Sequence, residues 1–428
     1  MAETGTGTGK GIVSGSGGRA GARSGAGAAA RAVAVAAAGA GGAALGDAAS
    51  AAGHAASGAA DWRRRAGLAG AALGVAAAGA AAGVALERLT VGRGMRRKAR
   101  LALDAAAPYG ALRGAPGTAT ADDGTPLHYE TEEPDTTEGG GAVPTVVFSH
   151  GYCLNQDSWH FQRAALRGRV RAVYWDQRGH GRSGRGAGPV SIDRLGRDLR
   201  AVVDAAAPEG PLVLVGHSMG GMTVMAFADQ YPELVRDRVA AFAFLGTSSG
   251  RLAELTYGLP ALPAHAVQRA LPGVLRALGG RAELVERGRR ATADLFAGLI
   301  KRYGFGSRDV DPVVARFAER MIEATPIDVV AEFYPAFAEH DKADALAALA
   351  ETGVPVLALA GARDLVTPPS HTEAVAALLP GAELVVVPGG GHLVMLEHPD
   401  TVTARLVELL ARAGVPALDD PGTAGRSG

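Results

Sequence analysis

At 428 residues, with 47% hydrophobic side chains, the chain is long enough for one large core plus appendages, because single cores stop growing near ~250–300 residues. Its 43 basic and 43 acidic residues balance, so no global field draws it to nucleic acid or to an acidic substrate. The single cysteine, Cys153, excludes an intrachain disulfide and a multi-cysteine zinc site, and leaves the compartment open.

Residues 1–60 consist mainly of Gly, Ala, Ser and Thr. They carry too little apolar surface to offset the entropy of ordering, so a disordered extension is predicted. Residues 66–86 carry no charge, are bracketed by Arg63-Arg64-Arg65 and Glu87-Arg88, and have about the length of a bilayer-spanning helix. Gly70/Gly74 and Gly79/Gly83 have the small-xxx-small spacing of packed membrane helices. Against an anchor stands the scarcity of the Leu, Ile, Phe and Val residues that favour insertion. Both readings stay open. The arginines also resemble a twin-arginine export signal, but the long stretch upstream argues against it. Arg93, Arg96, Arg97, Lys98 and Arg100 then form a basic cluster, either facing anionic headgroups on the cytoplasmic side or lying on a solvated helix face or linker. The expected location is the cytoplasm, free or membrane-anchored through residues 66–100.

From about residue 118 strands alternate with helices. Segments 118–121 and 126–130 flank Asp123-Gly124, a hairpin signal. Apolar runs at 145–149, 170–175, 212–215, 239–245, 354–360 and 383–387 read as buried strands, and 191–206 and 219–230 as helices between them. Together these predict an α/β fold with a mostly parallel eight-stranded sheet covered by helices on both faces. The core spans 118–250 and 350–413. The interval 251–349 is predicted to be a helical cap, and 414–428 a disordered tail. The cap carries Tyr257, Phe296, Tyr303, Phe305, Phe317, Phe333, Tyr334 and Phe337, mostly core by their helical spacing, with some left to face a moderately apolar substrate.

The strongest chemical signal is Gly216-His217-Ser218-Met219-Gly220-Gly221, set between an apolar strand and a helix. A sharp strand-to-helix turn needs glycines about the serine and pushes its Oγ outward. The following helix brings free N–H groups to where negative charge would develop. Ser218 is the candidate nucleophile.

On these residues the segment from about 118 to 413 resembles the α/β-hydrolase family, and four more segments look like that family's landmarks. Ser149-His150-Gly151-Tyr152 resembles its His-Gly loop, which implies that the Tyr152 N–H, with the Met219 N–H, binds the oxyanion; His150 is then structural and Cys153 incidental. Asp176-Gln-Arg178-Gly-His180-Gly-Arg182-Ser183 resembles an architectural turn. Gly361-Ala-Arg-Asp364 stands where the family carries its orienting acid, and Leu245-Gly-Thr-Ser248 offers no competing carboxylate. Gly389-Gly-Gly-His392, continuing to Glu397-His-Pro399, is similar to the histidine loop; His371 is the weaker alternative base. The resemblance implies a serine hydrolase of esterase or lipase type, with Ser218, Asp364 and His392 in the chain order that this fold imposes. It would act on a small-molecule acyl substrate without cofactor, metal or nucleic acid. Acyl transfer, C–C cleavage, cofactor-free perhydrolysis and a non-catalytic receptor are the alternatives, because fold does not decide function. The oligomeric state has no sequence signal.

Overall fold

The antiparallel hairpin pairs β1 (Ala115–Thr120) with β2 (Pro126–Glu132). Between them the Gly124 N–H bonds to Ala121 O, and Gly124 adopts φ +80°. This is a three-residue turn closed by a left-handed glycine. Strands β3 (Thr145–Ser149), β4 (Arg171–Trp175), β5 (Leu212–His217), β6 (Val239–Leu245), β7 (Val356–Gly361) and β8 (Glu383–Val387) follow. The sheet order is β1-β2-β4-β3-β5-β6-β7-β8, and every pair beyond β2–β4 is parallel.

The computed structural model describes residues 93–135, 143–252, 270, 273 and 293–415, all in one compact unit, Leu89–Gly428. The expected disordered extension, the candidate anchor at 66–86, Tyr257, the Phe296 side chain and most of the expected tail lie outside the described residues. Among the described residues no helix is long and apolar enough to cross a membrane.

Alternate side chains of each strand face opposite layers, as the two-residue strand period requires. Val213 and Val215 join a core with Phe148, Tyr174, Leu357 and Leu359; Leu212 and Leu214 join another with Val147, Phe242 and Phe244. Both faces are buried, which is why these strands read as continuous apolar runs.

Helix α1 (Arg93–Ala106) precedes the sheet, and α2 (His160–Leu166) covers the first face. The other face is covered by α3 (Ile192–Ala206) and α4 (Met219–Gln230), with α5 (Pro232–Arg238) short and largely exposed. Ser191 starts α3 as an N-cap, its side chain accepting the Arg194 N–H. Between β6 and β7 lie the helices α6 (Ala293–Gly304), α7 (Pro312–Ala324), α8 (Ile327–Ala338) and α9 (Ala343–Ala350). Helices α10 (Pro369–Leu378), α11 (Val394–Glu397) and α12 (Pro399–Arg412) follow β7 and β8 among the described residues.

Some element bounds differ from the sequence reading. The hairpin begins at Ala115 rather than at residue 118, because Gly117 and Pro116 hid a strand that pairing with β2 and packing against α3 hold in place. Of the readings left open for the basic cluster, the helix fits and the linker does not: it belongs to α1, which packs against α7, with Asp104 paired to Arg316 at 3.1 Å and to Arg320 at 3.4 Å.

A buried ion-pair group ties the hairpin to α2. Arg163 contacts Glu130 at 2.7 Å and Glu132 at 2.9 Å, and all three side chains are buried. Burial alone pushes the Glu130 carboxyl up, but the Gly114 N–H and the Arg163 and Arg182 guanidinium groups outweigh it and hold it down to about 2.

Candidate active site

Ser218 joins β5 to α4 at φ +52° and ψ −119°, a region that costs a non-glycine residue about 1–3 kcal/mol. The surroundings enforce the turn. Ser218 N donates to Leu245 O at 2.9 Å, and Thr247 Oγ1 donates to Ser218 O at 2.7 Å. A Cβ on Gly216 would lie 2.4 Å from Gly220 O, and one on Gly220 would lie 2.1 Å from Ser149 O. Both glycines are therefore required by close main-chain approach.

Ser218 Oγ lies 3.0 Å from His392 Nε2, and His392 Nδ1 lies 2.8 Å from Asp364 Oδ2. The three side chains are buried or nearly so. Asp364 leaves the end of β7, and its Oδ1 accepts the N–H groups of Val366 at 2.8 Å and Thr367 at 2.9 Å. Thr367 Oγ1 donates to Gly246 O at 2.7 Å and lies 3.2 Å from His392 Nδ1. The imidazole is thus oriented by two oxygens on one nitrogen, and its other nitrogen faces the serine.

The His392 main chain is held as well. His217 Nε2 lies 2.8 Å from His392 O, with the two rings 4.8 Å apart. Burial pushes His217 well below the ordinary histidine range, so it is a neutral ring donating through Nε2. Glu397 accepts the N–H groups of Gly391 at 2.7 Å, Ser307 at 2.7 Å and Gly306 at 3.0 Å.

Tyr152 follows the turn after β3, and Met219 is the first residue of α4, where helix N–H groups have no intrahelical acceptor. The loop behind Tyr152 is built on neutral histidines. His150 Nδ1 donates to Gly151 O at 2.8 Å while Nε2 accepts the Gln177 N–H at 2.9 Å, and burial holds this ring down to about 4. His180 Nδ1 donates to Arg178 O at 2.9 Å while Nε2 accepts the Cys153 N–H at 3.2 Å; burial and the neighbouring His150 lower it to about 3. In the same turn Arg178 contacts Asp198 at 2.5 Å and Asp123 at 3.0 Å.

The alternative base, His371, reaches Ser248 Oγ at 2.8 Å. Among the described residues no group of three or more His, Cys, Asp or Glu side chains is placed to hold a metal ion. Thr367, His217, His180 and Glu397 escaped the sequence reading as site residues. The signal for each was its place, one to five residues from a motif residue already singled out.

The profile of the α/β hydrolase fold matches residues 144–399. The chain belongs to the α/β-hydrolase fold family. An uncharacterized protein of Mycobacterium tuberculosis is 27% identical over 287 residues, covering 64% of this chain and 75% of its own. A bifunctional esterase/perhydrolase of Acinetobacter calcoaceticus is 26% identical over 299 residues, covering 69% of this chain and 99% of its own. Among solved structures, a thermophilic esterase of Thermogutta terrifontis is 26% identical with a TM-score of 0.53, covering 70% of this chain and 98% of its own. This α/β hydrolase is an enzyme of the hydrolase class.

Proposed function

We propose that the chain is a serine hydrolase that cleaves a carboxylic ester or related acyl substrate, an ester, thioester or lactone, through an acyl-enzyme on Ser218. His392 Nε2 takes the hydroxyl proton as Oγ attacks the carbonyl carbon, then returns it to the leaving group. Asp364 holds the Nδ1–H tautomer and stabilises the imidazolium. The Tyr152 and Met219 N–H groups receive the oxyanion, each such donor being worth about 3–4 kcal/mol of barrier. Water, deprotonated by His392, attacks the acyl-enzyme; the carboxylic acid leaves and Ser218 regains its proton.

The observation that carries this reading is the continuous hydrogen-bond chain from Asp364 through His392 to Ser218, at 2.8 and 3.0 Å, ending on a residue in the strained elbow conformation. The names of the Acinetobacter calcoaceticus and Thermogutta terrifontis relatives support ester substrates. Met222, Phe333, Leu252 and Phe337 cluster with Tyr152, which supports a moderately apolar acyl group.

A fluorophosphonate probe should label the purified protein stoichiometrically, and Ser218→Ala should abolish both labelling and turnover of p-nitrophenyl esters. Folded wild-type protein that neither labels nor turns over esters would instead be a receptor. The relative named esterase/perhydrolase favours one second reading, in which hydrogen peroxide replaces water at the acyl-enzyme and a peracid leaves. Peracid formation from ester and peroxide, absent in Ser218→Ala, tests it.

A further inference from the structure

The helices between β6 and β7 meet the oxyanion loop at one aromatic side chain. The Tyr152 hydroxyl donates to Val330 O, 178 residues away in α8. Its ring meets Phe337 edge-on at 5.0 Å and stacks on Phe333 at 6.2 Å, both also on α8. Burial pushes the phenol further above its ordinary range, so the proton needed for this bond stays in place.

Helix α8 is suited to receive an outside donor at that turn. Pro335 lies inside it; a proline brings no N–H to the carbonyl four residues back, here Ala331, and crowds it. The carbonyl left without its helical donor is thus the neighbour of Val330 O, and the tyrosine adds a hydrogen bond at this turn. The next residue of the loop is tied to the same helix. Cys153, at φ +59°, has its N–H held by His180 Nε2 at 3.2 Å, and the His180 ring packs edge-on against Phe333 at 4.9 Å. On the outer side Arg185 pairs with Glu332 at 2.7 Å and with Asp328. Helix α8 thus touches the groups that position the main chain at both 152 and 153.

We propose that the Tyr152 side chain is a positioning residue through which α8 aligns the oxyanion N–H, so that acyl groups are selected by where they leave α8. This rests on the hydrolase reading above. An acyl group that fits beneath α8 leaves the Tyr152 N–H aimed at the developing oxyanion. One that lifts α8 binds but turns the donor away, so discrimination falls on kcat more than on KM.

The test is Tyr152→Phe, which removes the hydroxyl and keeps the ring and the main-chain N–H. Across p-nitrophenyl esters from acetate to decanoate, we expect kcat for the best ester to fall roughly tenfold or more, as small misplacements of a catalytic group do. KM should change little, and the chain-length profile should flatten. Pro335→Ala is the companion variant, because it restores the missing N–H and suits a helix. It should shift the preferred chain length with Tyr152 intact, and it decides the matter if Tyr152→Phe does not fold. Wild-type kcat for every ester in Tyr152→Phe, or an unchanged profile in Pro335→Ala, overturns the coupling. Turnover retained in Ser218→Ala overturns the hydrolase reading itself, so the two failures are told apart.

Discussion

His392 is held by more groups than a proton relay needs: Asp364 and Thr367 at its ring, His217 at its carbonyl. Asp364→Asn would keep the size but offer an N–H to Nδ1, favouring the wrong tautomer. We expect kcat for esters to fall about 10⁴-fold with KM nearly unchanged; a loss below tenfold in steady-state kinetics would show that the carboxylate does not set the tautomer. Thr367→Val removes the hydroxyl that bridges Gly246 O and the imidazole. A milder loss of about tenfold is expected, since a small misplacement of a catalytic group can cost up to 10²-fold, together with a stability loss of about 1–3 kcal/mol from the unpaired Gly246 O. Ser218 and His392 were legible because glycines stand beside them after an apolar run, and Asp364 because it follows, three residues on, the glycine that ends another. Thr367 was not, because its role arises only when the chain after β7 folds back over Asp364.

At the scale of elements, the strands were legible because burial on both faces leaves uninterrupted Val, Leu, Ala and Phe. Their ends were not: β7 begins at Val356 rather than at residue 354, because Pro355 can accept from Phe242 N but has no N–H to donate. The packing of α1 on α7 was invisible for another reason, since it rests on pairs such as Asp104 and Arg316, 212 positions apart. The tie between hairpin and α2 supplies a stability test. Arg163→Ala would leave buried Glu130 with Arg182 and buried Glu132 with only the more distant Arg167, at 3.7 Å. Urea unfolding should show a loss of about 3 kcal/mol, and a loss within 1 kcal/mol of zero would mean that these two arginines and water suffice. The elbow supplies a second. Gly220→Ala drives a methyl group against Ser149 O, and should reduce probe labelling at Ser218 even where the protein remains folded.

For the whole molecule, acid should destabilise before the carboxylates titrate. His150 and His180 are held down to about 4 and about 3, against about 6.5 in the unfolded chain. Between those values the unfolded state binds more protons, so stability falls as pH drops from about 6.5 toward 4 and on to 3. Each ring nitrogen that would gain a proton now accepts a main-chain N–H. Glu130, lowered to about 2, adds a loss as pH falls below the ordinary carboxylate range toward 2. Asp176 and Asp198, raised by burial, act in the opposite sense from their folded values down to that range. Calorimetric melting temperatures should therefore drop steadily from pH 7 to pH 4.5, and a flat or rising series would contradict the neutral-histidine assignment.

Strands β6 and β7 are neighbours, Phe242 opposite Val356, so the polypeptide leaves the sheet at one strand and rejoins it at the next. The segment inserted there does not interrupt the register of the two strands. A chimera that borrows it from another enzyme should keep its reactive centre only if Gly306 and Ser307, which share Glu397 with Gly391, are retained, and should adopt the donor's tastes only when residue 152 is exchanged as well.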